Sequence, residues 1–203
     1  METIESFERV REVLGTPNPA AYKKIKQRLN ARMTGFIAQA PLVMIATVDR
    51  DGFPTVSPKG DAAGFVAVKD DQTLLLPERK GNKLAFSFEN LVSHPKAGLI
   101  FVVPGTPETL RVQGNCRVIH DPMLCKEMAS ATHDALLLLE IKVTSCYFHC
   151  AKALLRSQTW VPETWGPRQK ISFGKEILGE STDAELAAMQ LDAGIAARYL
   201  TDL

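Results

Sequence analysis

"LVMIATVDRDGFPTVSPKGD", residues 42–61, sets the fold reading. Two β-like runs flank Asp51-Gly52, and a glycine there can take the left-handed backbone that a hairpin turn requires. The flanking residues also permit a loop longer than two residues. Because a strand shows alternate residues on one face, Thr55, Ser57 and Lys59 form one polar strip, opposed by Pro54, Val56 and Pro58.

Working outward, further β runs occupy 63–70, 73–77, 97–105, 109–119 and 137–150. Six or seven strands at this spacing predict an antiparallel barrel or sandwich rather than alternating βαβ units. Two helices interrupt them. One spans 81–93, with Leu84, Phe88 and Leu91 at helical spacing; the other starts at Asp121 as N-cap with Pro122 behind it. Ahead of the hairpin, residues 1–40 read as a helical segment, with Ile25, Leu29, Met33, Phe36 and Ile37 on one face until Pro41 ends it. The tail from 181 to 203 reads as an amphipathic helix with a capping pattern at its start. The expectation is one domain over 1–203: helical 1–40, a β core over 41–160, and a C-terminal extension over 161–203.

With 203 residues and 45% hydrophobic content, the chain can build a substantial core. A net charge of +1 gives no general attraction to nucleic acid or to an anionic membrane, so any anion must be held locally. The early acidic residues do not make a secretory signal, and no apolar run approaches the roughly 20 residues needed to span a bilayer. The expectation is therefore a cytoplasmic protein without nucleic-acid or membrane partners. Its four cysteines read as thiols rather than a disulfide framework.

The stretch "PERKGNKLAFSFENL", 77–91, concentrates Arg79, Lys80 and Lys83 around Gly81-Asn82 where a β run gives way to a helix. Cations at such a corner commonly face water. A helix start with free N–H groups, nearby cations and a glycine is equally a general anion site. A second polar strip aligns Arg111, Gln113, Asn115 and Arg117, and on its own it could be the wet face of a two-faced sheet.

The joint order of "LVMIATVDRDGFPTVSPKGD", "LLLPERKGNKLAFSFENLVSHPKAGLIFVVPG" and "TLRVQGNCRVI" resembles the pyridoxamine 5'-phosphate oxidase-like family of FMN-binding split-barrel proteins, over roughly residues 30–165. The resemblance implies a mainly β split barrel of six or seven antiparallel strands with flanking helices. It implies FMN as cofactor, with Ser57 and Lys59 near the flavin ring and Arg79, Lys80, Asn82 and Lys83 around the phosphate. Asn90, Arg111 and Gln113 would complete that side. It also implies a homodimer with FMN in clefts between subunits, to which Lys152, Arg156, Ser157 and Trp160 of the second chain could contribute. Trp160 is equally readable as a packing aromatic.

The implied activity is that of an oxidoreductase acting on a small organic substrate, since flavin itself carries out hydride or electron transfer. The alternatives are a non-catalytic flavin carrier or redox sensor, a deazaflavin-using relative, or a haem-binding barrel with His149 or His94 as ligand. The segment 166–181 matches none of the substrate-binding residues of true pyridoxamine phosphate oxidases. "CYFHC", 146–150, invites a metal or redox reading, but strand geometry puts Cys146 and Cys150 on one face and His149 on the other.

Overall fold

Seven strands alternate along one antiparallel sheet: β1 Leu42–Val48, β2 Pro54–Gly60, β3 Ala67–Asp70, β4 Thr73–Glu78, β5 Lys96–Val102, β6 Thr109–Ile119 and β7 Leu137–His149. Their order across the sheet is β2-β1-β5-β6-β7-β4-β3. The computed structural model describes residues 1–179 and 181–202, the Asp183 side chain apart. β1 and β2 pair antiparallel from Leu42↔Gly60 to Val48↔Pro54. The loop between them spans five residues: Asp49 Oδ1 accepts from the Asp51 and Phe53 N–H groups, and Gly52 takes φ +88°.

The sheet curls until its two ends approach without pairing. Lys59 on β2 reaches Glu78 on β4 at 2.6 Å, and Asp61 just after β2 meets Arg79 just after β4 at 2.6 Å. Two ion pairs therefore span the gap that backbone hydrogen bonds leave open. The strand spacing predicted a barrel or sandwich, and this is the split barrel that the family resemblance implied.

Alternation fills the interior. Val43, Ile45, Leu99, Phe101, Leu110, Val112, Leu74 and Ile141 are all buried in one cluster. Two helices close it: α2, Ala31–Ile37, inserts Met33 and Ile37, and α3, Phe86–Ser93, inserts Leu91. A satellite cluster of Cys125, Ala135 and Leu138 sits under α4, Pro122–Glu127, whose Asp121 cap accepts from the Met123 and Leu124 N–H groups as its sequence predicts.

The N-terminal segment departs from the single long helical reading. It contains α1, Phe7–Leu14, a 3-10 turn over Pro19–Lys24, and α2, while Ile25 to Asn30 lie outside any helix. Lys26 exchanges both backbone hydrogen bonds with Cys146 on β7, and the Leu29 N–H donates to the Asp71 carbonyl. Asn30 then caps α2 through the Arg32 and Met33 N–H groups. The free edge groups of β7 draw this stretch into extended pairing, and an Asn that caps cannot also be mid-helix.

One irregularity has large consequences. Gln113 pairs with Ser145 but Gly114 pairs with Val143, so Thr144 is the extra residue of a β-bulge. Before it the odd residues of β7, Ile141 and Val143, are buried; after it the fully buried residue is Cys146, and Tyr147 and His149 lie on the outward face.

After β7 comes α5, Lys152–Arg156, within the stretch read as the β core; residues 161–203 carry α6, Phe173–Leu178, and α7, Glu185–Thr201. The helix α6 is absent from the sequence reading. It packs on α7 at Gly174, where an added Cβ would run into the Ala188 carbonyl oxygen. The expected tail helix starts at Glu185 without a side-chain cap and closes at Thr201; Leu203 lies outside the described residues.

Candidate functional site

A cleft of about 610 Å³ opens at the split of the barrel. It is lined by Ser57 and Lys59 from β2, by the loop carrying Arg79, Lys80, Asn82 and Lys83, and by Ser87 and Phe88 from α3. Six of the residues singled out in the sequence thus converge, although β2 and β4 stand near opposite ends of the sheet.

The loop differs from the sequence expectation in one respect: α3 begins at Phe86, not directly after Asn82. The Asn82 side chain accepts from the Leu84 N–H, and Lys83 and Ala85 take φ +63° and +54°. Left-handed backbone cannot start a right-handed helix, so the cations sit on a strained loop ahead of α3. Leu84, assigned by spacing to the packed face, is 58% exposed.

Charge in the cleft is largely compensated. Arg79 Nε donates to Asp61 at 2.6 Å and its Nη1 to the Met128 carbonyl at 2.7 Å, so this side chain also ties the loop after β4 to the end of α4. Lys80 meets Asp202, beyond α7, at 2.6 Å, and that bond holds the Asp202 carboxyl below its ordinary range. Lys59 pairs with Glu78 and lies 5.4 Å from the Phe88 ring centre. Lys83 forms no ion pair among the described residues. The carboxylates were not identified from the sequence; Asp61 and Glu78 flank the singled-out strips, but nothing along the chain signals Asp202.

The polar strip of β2 points inward. Ser57 shares a hydrogen bond with Ser87 at 3.1 Å, and Thr55 and Thr47 join at 2.9 Å. Asn90 lies outside the cleft: its buried amide donates to both Thr47 and Thr55 at 2.9 Å, fastening α3 to the hairpin. Asn90→Ala is expected to lower unfolding free energy by about 1–3 kcal/mol, because it removes two hydrogen bonds from a threonine pair that then keeps only its mutual bond; urea denaturation measures it.

Arg111 and Gln113 do not line this cleft either. They lie on the outward face of β6, where Arg111 Nη1 approaches the Tyr147 hydroxyl at 3.4 Å and Gln113 is exposed. Lys152, Arg156 and Ser157 are exposed on and after α5. Trp160 is half-buried and donates from Nε1 to the Thr106 carbonyl at 3.0 Å, fixing the β5–β6 loop.

The Cys/His cluster does not converge. Cys146 is fully buried and donates to the Arg28 carbonyl, His149 faces outward, and Cys150 is exposed beyond the strand. Burial pushes the Cys146 thiol up, and that of Cys116 up to about 11, so both stay protonated near neutral pH. Among the described residues no group of three or more His, Cys, Asp or Glu side chains could hold a metal ion. His94, His120 and His133 are exposed.

An antiparallel barrel, split between β2 and the β4–β3 edge and carrying a basic loop at the split, defines the class: a split-barrel protein of the pyridoxamine phosphate oxidase type. The family model described as pyridoxamine 5'-phosphate oxidase matches residues 29–150, more than half the chain, and the chain belongs to that family. Among solved structures it is similar to HupZ of Group A Streptococcus, at 21% identity over 59% of this chain and 93% of that one, with TM-score 0.49. A candidate pyridoxamine 5'-phosphate oxidase from Lactobacillus delbrueckii matches at 25% identity over 60% and 95% of the two chains, TM-score 0.47. A Clostridium acetobutylicum protein related to general stress protein 26 matches at 13% identity over 60% and 90%, TM-score 0.46. No curated protein sequence matches the chain.

Proposed function

We propose that the protein is an FMN-dependent oxidoreductase acting on a small organic substrate, with the flavin phosphate held at the split of the barrel. The observation that carries this reading is the convergence of Ser57, Lys59, Arg79, Lys80, Asn82 and Lys83 on one cleft, from segments that the sheet keeps apart. The residues fit the group. Arg79 and Lys80 present forked and point-charge donors to a dianion, Lys83 has no carboxylate partner among the described residues, and Gly81 has open space where a Cβ would stand. Asp61 and Asp202 hold two of these cations until the phosphate competes for them. The cofactor, when bound, supplies the hydride or electron transfer. Ser57 and Lys59, inward on β2, orient its ring edge, and the Lys59 ammonium favours negative charge developing there.

A homodimer belongs to this reading. Pro58, Met44, Ile100, Arg111 and Tyr147 are register partners across five strands, a row on the outward face running from apolar to cationic. Val56 in the same outward set is 60% exposed. An apolar sheet face of this kind is covered by a second copy, which brings Arg111 and Gln113, and Lys152, Arg156, Ser157 or Trp160, toward the partner's flavin. No helix among the described residues is long and apolar enough to cross a membrane, and four free thiols suit the reducing cytoplasm.

The absorbance spectrum of the purified protein, with and without added FMN, tests the assignment. Flavin bands that bleach anaerobically with NAD(P)H are the expected result. An intense Soret band would favour haem, and bound flavin that no reductant or substrate turns over would favour a carrier. A colourless protein that also fails to take up FMN refutes the assignment.

A further inference from the structure

On the outward face, Lys24, Arg111, Tyr147 and His149 gather from three elements: the 3-10 turn, β6 and β7. The Lys24 ammonium lies 5.3 Å from the centre of the Tyr147 ring, Arg111 Nη1 is 3.4 Å from the Tyr147 hydroxyl, and the His149 and Tyr147 rings are 6.5 Å apart. Their assembly depends on the two departures from sequence pattern described above. The extended stretch after Lys24 pairs with β7 at Cys146, and the bulge at Thr144 turns Tyr147 and His149 outward.

Around the barrel split and on the sheet, several other cations are paired. Arg28, Lys59, Arg79, Lys80 and Arg117 each meet a carboxylate within 2.9 Å. Neither Lys24 nor Arg111 has a carboxylate partner among the described residues. Arg111 Nε and His149 Nδ1 are buried without a hydrogen-bond partner, in a chain that satisfies its other described buried side-chain nitrogens and oxygens. Burial first, and then the charges of Arg111 and Lys24, hold the imidazole below its ordinary value. Positive groups crowded together without a counter-charge repel one another, and an anion relieves that repulsion while accepting hydrogen bonds from all four.

We propose that Lys24, Arg111, Tyr147 and His149 form a binding subsite for a small-molecule anion, a carboxylate or a phosphate. Assigning that anion to the substrate rests on the flavin reading above; the subsite itself rests on this cluster alone. Arg111 and Lys24 supply charge, the Tyr147 hydroxyl and His149 supply directional hydrogen bonds, and the flavin chemistry would act on the remainder of the molecule.

NMR of the His149 and Tyr147 rings in the full-length chain, titrated separately with inorganic phosphate and with acetate at constant ionic strength, tests this. The expected result is a saturable shift of both rings, with affinity about tenfold weaker in Lys24→Met, an exposed position whose change leaves the core intact. Tighter phosphate binding assigns a phosphate-bearing ligand, and tighter acetate binding a carboxylate. Shifts that fail to saturate with either probe, as when a carboxylate of a second copy already fills the position, overturn the proposal; so does unchanged affinity in Lys24→Met. FMN binding is followed independently by quenching of flavin fluorescence. FMN uptake without a ring response overturns the subsite alone, and a ring response without FMN uptake overturns the flavin reading and leaves the subsite standing.

Discussion

Replacing Arg79 and Lys83 together with alanine is expected to weaken FMN binding roughly 100-fold, about 2.7 kcal/mol, while riboflavin binding changes by no more than about twofold. The two ligands differ only in the phosphate, so the ratio of their losses isolates the group that the basic loop is proposed to grip. Lys83 has no carboxylate partner among the described residues, and its replacement alone removes charge without freeing one. Arg79 is different, because it also holds Asp61 and the Met128 carbonyl. Its removal leaves a half-buried carboxylate facing the cleft, which further repels a dianion. Asp61→Asn provides the opposite sign: it relieves that competition and is expected to tighten FMN while leaving riboflavin unchanged. Circular dichroism of each variant confirms that the barrel is retained. Equal losses for FMN and riboflavin would place the phosphate elsewhere.

Within the barrel, a large effect on stability is expected at Gly114. A Cβ there would stand 2.5 Å from the Lys142 carbonyl oxygen and 2.6 Å from Ile141 Cγ2. One obstacle is backbone and the other a fully buried side chain, so neither can move aside cheaply. Gly114→Ala is expected to cost about 2–4 kcal/mol in urea denaturation, at the upper end for overpacking. Because Gly114 borders the bulge, any relaxation displaces Tyr147 and His149 as well. The ring resonances of those two residues should therefore shift even under conditions where the variant stays folded. A variant as stable as the parent would show that β6 and β7 are less closely packed at the bulge.

Much of the architecture is legible along the chain because it depends on local pattern, alternation in some strands and short apolar runs in others. The β runs at 54–60 and 109–119 need only a period of two and those at 42–48 and 73–78 only a short apolar run, with turn residues between them, and Asp121-Pro122 announces α4 through its own side-chain chemistry. The basic loop at 79–83 is visible for a similar reason: its composition is unusual over five adjacent residues. Helical spacing misleads where a partner strand competes. Ile25 and Leu29 satisfy the helical pattern, yet the exposed edge of β7 offers Lys26 two backbone hydrogen bonds that a helix could supply only within itself. Leu84 misleads because left-handed backbone at Lys83 and Ala85 postpones the helix.

By itself the sequence determined that the chain is an antiparallel β protein with a basic loop between a strand and a helix, since both follow from residues that are neighbours along the chain. Only the tertiary structure decided which charges meet. Lys59 finds Glu78 and Arg79 finds Asp61 because the sheet curls its ends together, and Lys80 finds Asp202 from the far end of the chain. The direction of Tyr147 and His149 was likewise settled by one extra residue in β7. A single unpaired residue exchanges the two faces of every residue that follows it, and the choice of where to place it belongs to the packing of Gly114 against its neighbouring strand.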